Sequence, residues 1–138
     1  MTVKQVIVMR RQFKDSNGNS MKLRRGKEIA QAGHATIAWA LEALEAFMSG
    51  HPEGMCISSE EIEWMRGGQT KVTVYVNTEE ELVALYEKIK AVPNTPPCFI
   101  ITDSGKTEFG GVPTKTCMAF GPGKSEILDQ FTGHLPLY

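Results

Sequence analysis

The sequence predicts an α/β fold in which one four-stranded mixed β-sheet has helices packed on both faces. Two observations indicate this class. Short β-branched runs alternate with segments of helical periodicity, in the order β, α, α, β, α, β, β, α. The 138 residues are 41% hydrophobic, which suits one core, and no repeat, linker or low-complexity segment divides them. We therefore expect a single domain over residues 1–138.

The first two predicted elements are a buried strand and a long helix. Residues 3–9 read VKQVIVM, an apolar and β-branched run that is typical of a buried strand. The helix is expected from Gly26 to Met48, with Gly50 and Pro52 bringing it to an end. Its apolar stripe, the side that such a helix usually packs against the core, contains Ile29, Ala30, Ile37, Leu41 and Leu44.

Capping signals and β-branched runs place the later elements. Ser58 with Glu61, and Thr78 with Glu81, match capping boxes at the starts of two further helices. Strands are expected at residues 70–76, 98–102 and 114–120, where Gly121-Pro122-Gly123 ends the last one, and a short helix follows at residues 125–131. Residues 103–107 read as a tight turn after the third strand.

Composition limits the compartment and the kinds of site. No apolar run is long enough to cross a bilayer and no signal-peptide pattern opens the chain, so we expect a cytoplasmic protein that does not enter a membrane. The three cysteines are odd in number and lack a C-x-x-C pair, which argues against a disulfide framework or a zinc site. The three histidines are scattered, and we expect neither a metal nor a cofactor.

Positive charge is concentrated near the start of the chain. Residues 1–27 contain eight of the fifteen Lys and Arg but one of the sixteen acids, leaving seven bases and fifteen acids in the remainder. Much of this charge lies in a loop without predicted structure of its own, around the turn signal at Asn17-Gly18. The asymmetry indicates a surface for a polyanion, and the alternative is a solvated loop neutralised by the acidic body.

Polar residues at the ends of elements are the candidates for chemistry, since no phosphate-binding loop, zinc-protease or nucleophile-elbow motif occurs. In a helix, Lys27, Gln31 and His34 share one face at i, i+4 and i+7. Asp103 directly follows an apolar strand, where a carboxylate serves either a turn or catalysis. Thr116 lies in an alternating strand, where threonine is also an ordinary β-former. None of these residues decides the function alone.

Seven segments form a series along nearly the whole chain. They are KQVIVMR at 4–10, GKEIAQAGHA at 26–35, GQTKV at 68–72, TEEELVALYEKIKA at 78–91, TDSGKTEF at 102–109, PTKTCMAFGP at 113–122 and TGHLPLY at 132–138. In this order and spacing the series resembles the archaeal and eukaryotic type of peptidyl-tRNA hydrolase. The resemblance is specific because all seven segments occur together.

The resemblance implies a reaction and a catalytic set. The expected reaction is hydrolysis of the ester between the C-terminus of a peptide and the 3′-terminal ribose of tRNA, without a metal or cofactor. The family's lysine, aspartate and threonine, with a nearby histidine and glutamine, correspond to Lys27, Asp103, Thr116, His34 and Gln31. Because the segment from Asp103 to Thr116 is one residue longer than the family's, Thr114 stays open as the alternative hydroxyl.

The resemblance also implies a partner for the basic segment, the acceptor stem and 3′ end of peptidyl-tRNA. The basic residues would bind its phosphates without reading the nucleotide sequence. The resemblance also implies a possible homodimer. A non-catalytic RNA- or protein-binding module of the same fold, and a hydrolase of a different small ester or amide, are the competing hypotheses. The residues expected to contact phosphate are Arg10, Arg11, Lys14, Lys22, Arg24, Arg25 and Lys106.

Overall fold

The computed structural model describes residues 2–51, 53, 56–106 and 108–138. Pro52, the expected helix stop, and Thr107, the expected end of the turn after the third strand, lie outside these residues. The elements in chain order are β1 Val3–Arg10, β2 Phe13–Lys14, β3 Ser20–Met21, α1 Arg25–Met48, α2 Ser59–Arg66, β4 Lys71–Val76, α3 Glu79–Lys90, β5 Cys98–Asp103, β6 Thr114–Lys124 and α4 Ser125–Thr132.

The main sheet has the strand order β4-β1-β6-β5. β1 pairs parallel with β4 and antiparallel with β6, and β6 pairs antiparallel with β5. Strands β1, β4 and β5 therefore run in one direction, so their carboxyl ends meet at the same end of the sheet. The predicted four-stranded mixed sheet is confirmed.

Helices cover both faces of this sheet, as the sequence predicts. On one face, α3 and α4 contribute Leu82, Ile89 and Leu128 to a core that includes Val8 and Phe120. On the other face, Ala35 of α1 packs with residues of β1 and β6 in a second, smaller core. The Trp39 ring of α1 meets the Trp64 ring of α2 edge to face, with centroids 6.1 Å apart.

The long helix α1 presents a different side to the sheet from the one its pattern predicts. Its buried side carries Gln31, Ala35 and Trp39, with Ala32 packed beside them. The expected core stripe lies toward solvent instead: Ile29 is 66% exposed, Leu41 50%, and Ile37 and Leu44 48% each. The prediction for this stripe is wrong, because small residues let the helix lie close to the strands and leave the large aliphatic residues outside.

Two further segments differ from the sequence-based expectation. The basic loop has structure of its own, a small antiparallel hairpin in which β2 pairs with β3. The Asp15 carboxylate holds the turn of this hairpin by accepting the backbone N–H groups of Asn17 and Asn19. Strand β6 continues through Gly121-Pro122-Gly123 to Lys124 rather than ending there. Its pairing with β1 extends to the contact of Lys124 with Val3, and this pairing keeps the Gly-Pro-Gly segment in the sheet.

The two outer strands of the sheet differ in whether their outer edges make backbone hydrogen bonds. The edge of β4 is covered by residues 136–138, since Tyr75 N–H donates to the Pro136 carbonyl and Tyr138 N–H donates to the Thr73 carbonyl. Within the described residues, no backbone hydrogen bond joins the outer side of β5 to any other segment. No described helix is long and apolar enough to cross a membrane.

A pair of leucines tests the orientation of α1 and the core beneath α3. Leu82→Ala removes a fully buried side chain, so we expect it to lower the free energy of unfolding by about 2–5 kcal/mol in urea denaturation. Leu41→Ala, at a half-exposed site, is expected to change it by about 0.5 kcal/mol or less. Equal losses from both substitutions would show that α1 buries its aliphatic stripe in solution.

Candidate active site

The carboxyl end of β5 and the first turns of α1 bring two opposite charges together. Lys27 Nζ lies 2.9 Å from Asp103 Oδ1, across 76 residues of sequence. Both side chains are largely withdrawn from water, with exposed fractions of 15% for Lys27 and 12% for Asp103. An ion pair in this position depends on good geometry and further hydrogen bonds, because removing charges from water is costly.

Gln31 links this ion pair to the central strand β6. Its Nε2 donates to Asp103 Oδ1 at 3.3 Å, and its Oε1 accepts the Thr116 hydroxyl at 2.6 Å. Gln31 and Thr116 are both buried. The four side chains therefore form one connected network, in which Thr116 orients Gln31, and Gln31 and Lys27 both donate to the same carboxylate oxygen.

A β-bulge in β6 places Thr116 in this network. Ile101 pairs with Cys117 and Thr102 with Lys115, so Thr116 is the extra residue between two paired positions. Thr116 and its neighbour Cys117 both bond to Gln31 of α1, the hydroxyl to the side chain and the thiol to the backbone carbonyl. Burial raises the pKa of the Cys117 thiol to about 11, which keeps the proton that it donates.

Gly105 is a supporting residue that the sequence pattern did not single out. Its N–H donates to Asp103 Oδ2 at 3.0 Å, so the second carboxylate oxygen is held as well. Its φ is +79°, and an added Cβ would lie 2.1 Å from the Val112 carbonyl oxygen, so a side chain does not fit here. The Asp-x-Gly spacing after a strand, typical of such turns, was the available signal.

Asp103 is ionised at neutral pH in this setting. Burial raises the pKa of its carboxyl, but hydrogen bonds from Lys27, Gly105 and Gln31, with the charge of Lys27, outweigh burial and lower the pKa below its usual value. The carboxylate is thus an acceptor with a fixed orientation. Such a group can align a water molecule and stabilise positive charge that develops on it.

The network opens onto a groove between α1 and β5. The groove has a volume of about 350 Å³, and His34 lines it together with Gln31, Asp103 and residues 100–102 and 104. The His34 side chain makes no hydrogen bond to the network within the part of the chain that the structure describes. It is exposed on the helix face that the sequence predicts, one turn beyond Gln31.

The alternative hydroxyl, Thr114, lies near the network without joining it. Thr114 pairs directly with Asp103 across β5 and β6, so both side chains are on the same face of the sheet. Its hydroxyl donates to the Val112 carbonyl at 2.8 Å. Thr116 is therefore the threonine that the structure connects to Gln31.

Comparisons with known proteins match this chain along its length. The family model described as peptidyl-tRNA hydrolase PTH2 matches residues 3–138. The chain is 38% identical to a peptidyl-tRNA hydrolase of Methanocaldococcus jannaschii over 135 residues, which cover 98% of this chain and 99% of that protein. It is 39% identical to a peptidyl-tRNA hydrolase of Methanopyrus kandleri, covering 97% of both chains.

The chain belongs to the PTH2 peptidyl-tRNA hydrolase family. A human family member, peptidyl-tRNA hydrolase 2, mitochondrial, is 32% identical over 120 residues, which cover 87% of this chain and 60% of the human protein. The family resemblance derived from the seven sequence segments is therefore confirmed. Among the described residues of this PTH2 protein, no group of three or more His, Cys, Asp or Glu could hold a metal ion.

The seven basic residues of this PTH2 protein that were expected to contact phosphate fall into two groups, those with partners inside the protein and those exposed to solvent. Arg10 points inward, where its guanidinium donates to the backbone carbonyls of Gln12 and Lys115 and stacks on Phe13 at 4.3 Å. Arg24 is paired with Glu108. The other five, which are exposed to solvent, are Arg11, Lys14, Lys22, Arg25 and Lys106.

The lowered pKa of Asp103 leads to a prediction about acid stability. Because the folded-state pKa is below the unfolded one, the ionised carboxylate stabilises the fold fully above the usual pKa of aspartate, and this contribution is lost as pH falls through the lowered value. The unfolding free energies of the parent protein and Asp103→Asn should therefore differ at neutral pH and converge as the pH falls through the lowered pKa of Asp103. Lys27→Met should reduce this pH dependence. A difference that stays constant with pH would contradict the assignment.

Proposed function

We infer that this protein hydrolyses the ester between the peptide and the 3′-terminal ribose of peptidyl-tRNA, releasing the peptide and free tRNA. The observation that carries the inference is the connected set Lys27, Asp103, Gln31 and Thr116, which lies at an open groove in a chain of the PTH2 family. Four of the five residues expected from the sequence to act together are in hydrogen-bond contact across three separate elements, and the fifth, His34, lines the groove beside them. That arrangement supports the hydrolase over a non-catalytic module.

The proposed chemistry needs a water molecule, a site for negative charge and a proton for the leaving oxygen. Asp103, ionised and fixed by three hydrogen-bond donors, aligns the water for attack on the ester carbonyl. The Lys27 ammonium stabilises the oxyanion of the tetrahedral intermediate. When the bond from carbon to the 3′-oxygen breaks, the Lys27 ammonium gives that oxygen a proton, while the Asp103 carboxylate takes up the proton of the water. Transfer of this proton from Asp103 to Lys27, 2.9 Å apart, restores both groups.

The remaining three residues have positioning roles in this proposal. Thr116 is buried, so it acts by fixing the amide of Gln31 rather than by touching the substrate. Gln31 in turn fixes the carboxylate of Asp103. His34, exposed on the wall of the groove, is placed to contact the substrate next to the scissile bond.

Substitutions at the ion pair test the catalytic roles. Asp103→Ala and Lys27→Ala should each lower kcat by about 100-fold or more on an N-acyl-aminoacyl-tRNA, because each removes a charge needed in the transition state. Peptide release would be measured with and without EDTA, with folding checked by circular dichroism. Near-normal turnover by either folded variant would refute the roles, and a folded parent that binds tRNA without cleaving it would favour the binding module.

The threonine pair provides a matched control for this experiment. Thr116→Val removes the hydroxyl that orients Gln31, so we expect kcat to fall by about 10-fold, the effect of losing one positioning hydrogen bond. Thr114→Val removes a hydroxyl bonded to Val112 and should have a smaller effect. The reverse order would assign the active hydroxyl to Thr114.

The exposed basic residues are proposed to grip the phosphates of the acceptor stem and 3′ end. Arg11, Lys14, Lys22, Arg25 and Lys106 are available for this, whereas Arg10 is committed to contacts inside the protein and Arg24 to Glu108. The positive charge of these exposed residues supports the proposal. Phosphate contacts do not read the nucleotide sequence, which suits an enzyme that acts on many tRNAs. Homodimerisation and a cytoplasmic location, expected from the sequence, stay predictions.

Salt dependence tests the phosphate contacts. The KM for peptidyl-tRNA should rise steeply with salt, by roughly 0.7–0.9 in log KM per log unit of salt for each phosphate contacted. Lys22→Ala or Arg25→Ala should lower this slope by about one contact each. Lys88→Ala, which removes an exposed lysine from α3, is the control and should leave the slope unchanged. A KM that is independent of salt would contradict the proposal.

A further inference from the structure

Among the residues that the structure describes, the outer edge of β5 pairs with no other strand, and it lies beside the candidate active site. β5 is the last strand of the sheet on this side, and only Cys98 of its six residues is buried. The strand reads CFIITD, with no Lys, Arg or Pro to discourage pairing with another chain. The opposite edge, β4, is covered by residues 136–138. In the described part of the chain, one edge of the sheet is therefore covered, and the edge that ends at Asp103 is open.

Two cavities lie along this side of the sheet, each between β5 and α1, and together they mark the proposed peptide channel. At the Asp103 end, residues 100–102 of β5 face Gln31 and His34 of α1 across the groove of about 350 Å³. Farther back along the same side, Phe99 faces Glu42 and Trp39 across a second cavity of about 190 Å³. An extended peptide can occupy such a channel by adding to the strand edge through backbone hydrogen bonds.

We propose that the open edge of β5 binds the peptide part of peptidyl-tRNA as an added β-strand, an inference that rests on the function proposed above. Backbone pairing suits this substrate, because it requires no particular side chains and the enzyme meets peptides of many sequences. The six residues of β5 span about 20 Å, enough for about six peptide residues.

The position of the catalytic groups fixes the direction of the added strand. The last carbonyl of the peptide must lie beside Asp103, at the carboxyl end of β5, while earlier residues lie toward Cys98. The peptide therefore runs parallel to β5, with its backbone N–H groups alternately facing the strand and facing away.

The distribution of charge along α1 favours RNA at the start of the helix and the peptide farther along it. The exposed Lys22 and Arg25 lie just before and at the start of the helix, whereas residues 28–48 contain no Lys or Arg and include Glu42 and Glu45 among aliphatic residues. RNA is attracted to the first part and repelled from the second, where the proposed peptide channel runs. A second copy of the chain paired on β5 would occupy the groove at Asp103, so the substrate peptide is the occupant compatible with hydrolysis.

The test compares tRNAs that carry N-acetyl-oligoalanine of one to six residues, so that side chains add nothing. We expect kcat/KM to rise with peptide length and to level off at about six residues. N-methylation of single amides in the six-residue substrate should lower kcat/KM by about 3- to 10-fold at alternate positions and leave the intervening positions nearly unaffected. Rates independent of length, or uniform effects of methylation, would overturn the proposal.

A matched pair of substitutions and an exchange measurement test the channel itself. Glu42→Trp, which narrows the distal cavity, should lower kcat/KM for the six-residue substrate, whereas Glu87→Trp on the exposed side of α3 should not. If N-acetyl-alanyl-tRNA is not cleaved at all, the proposed function fails, not the peptide channel alone. Protection of β5 amides from hydrogen exchange that increases with protein concentration, without substrate, would assign the edge to a second copy and overturn the proposal.

Discussion

The close approach of α1 to the sheet is the constraint on which the rest of this structure depends. Ala32 and Ala35 have side chains short enough to bring the helix backbone near β1 and β6. At that separation Lys27 reaches Asp103, and Gln31 reaches both Asp103 and Thr116. A larger residue at Ala35 would push the helix outward and lengthen every hydrogen bond of the network at once. The packing of these two alanines therefore determines the geometry of the site.

This constraint also explains what could be predicted from the sequence. Strands, helices and their order follow from local patterns, and the shared face of Lys27 and Gln31 follows from helical spacing. The aliphatic stripe of α1 is predicted on the wrong side because Ile37, Leu41 and Leu44 dominate any hydrophobic pattern, whereas the alanines that bury the helix contribute little to it. Which residues of this helix are buried depends on their distance from the strands. The hydrophobic pattern of the sequence does not contain that distance.

The site could be predicted in part for similar reasons. The residue types and their elements were available from the sequence and the family resemblance, but the bulge that places Thr116 against Gln31 arises from the register of β5 and β6. The role of Gly105 depends on a positive φ and on the nearby Val112 carbonyl, 7 residues ahead in the chain. The inward turn of Arg10 depends on partners in β6 and the hairpin. The strand register, the Val112 carbonyl beside Gly105 and the partners of Arg10 are set by tertiary structure, and local sequence indicates only the turn at Gly105.

The phosphate contacts proposed at the start of α1 would couple substrate binding to the stability of the folded chain. Ser58 and Thr78 cap α2 and α3 by accepting backbone N–H groups, but Arg24 provides no side-chain cap for α1, and basic residues lie at the positive end of its dipole. Uncapped N–H groups and the basic residues destabilise this end of the helix, and Glu28 in the first turn offsets part of that effect. A polyanion bound there as proposed would interact favourably with both the N–H groups and the basic residues, so by mass action the protein with substrate bound would be the more stable form. In the proposed complex, the substrate would supply the cap that the sequence of α1 does not provide.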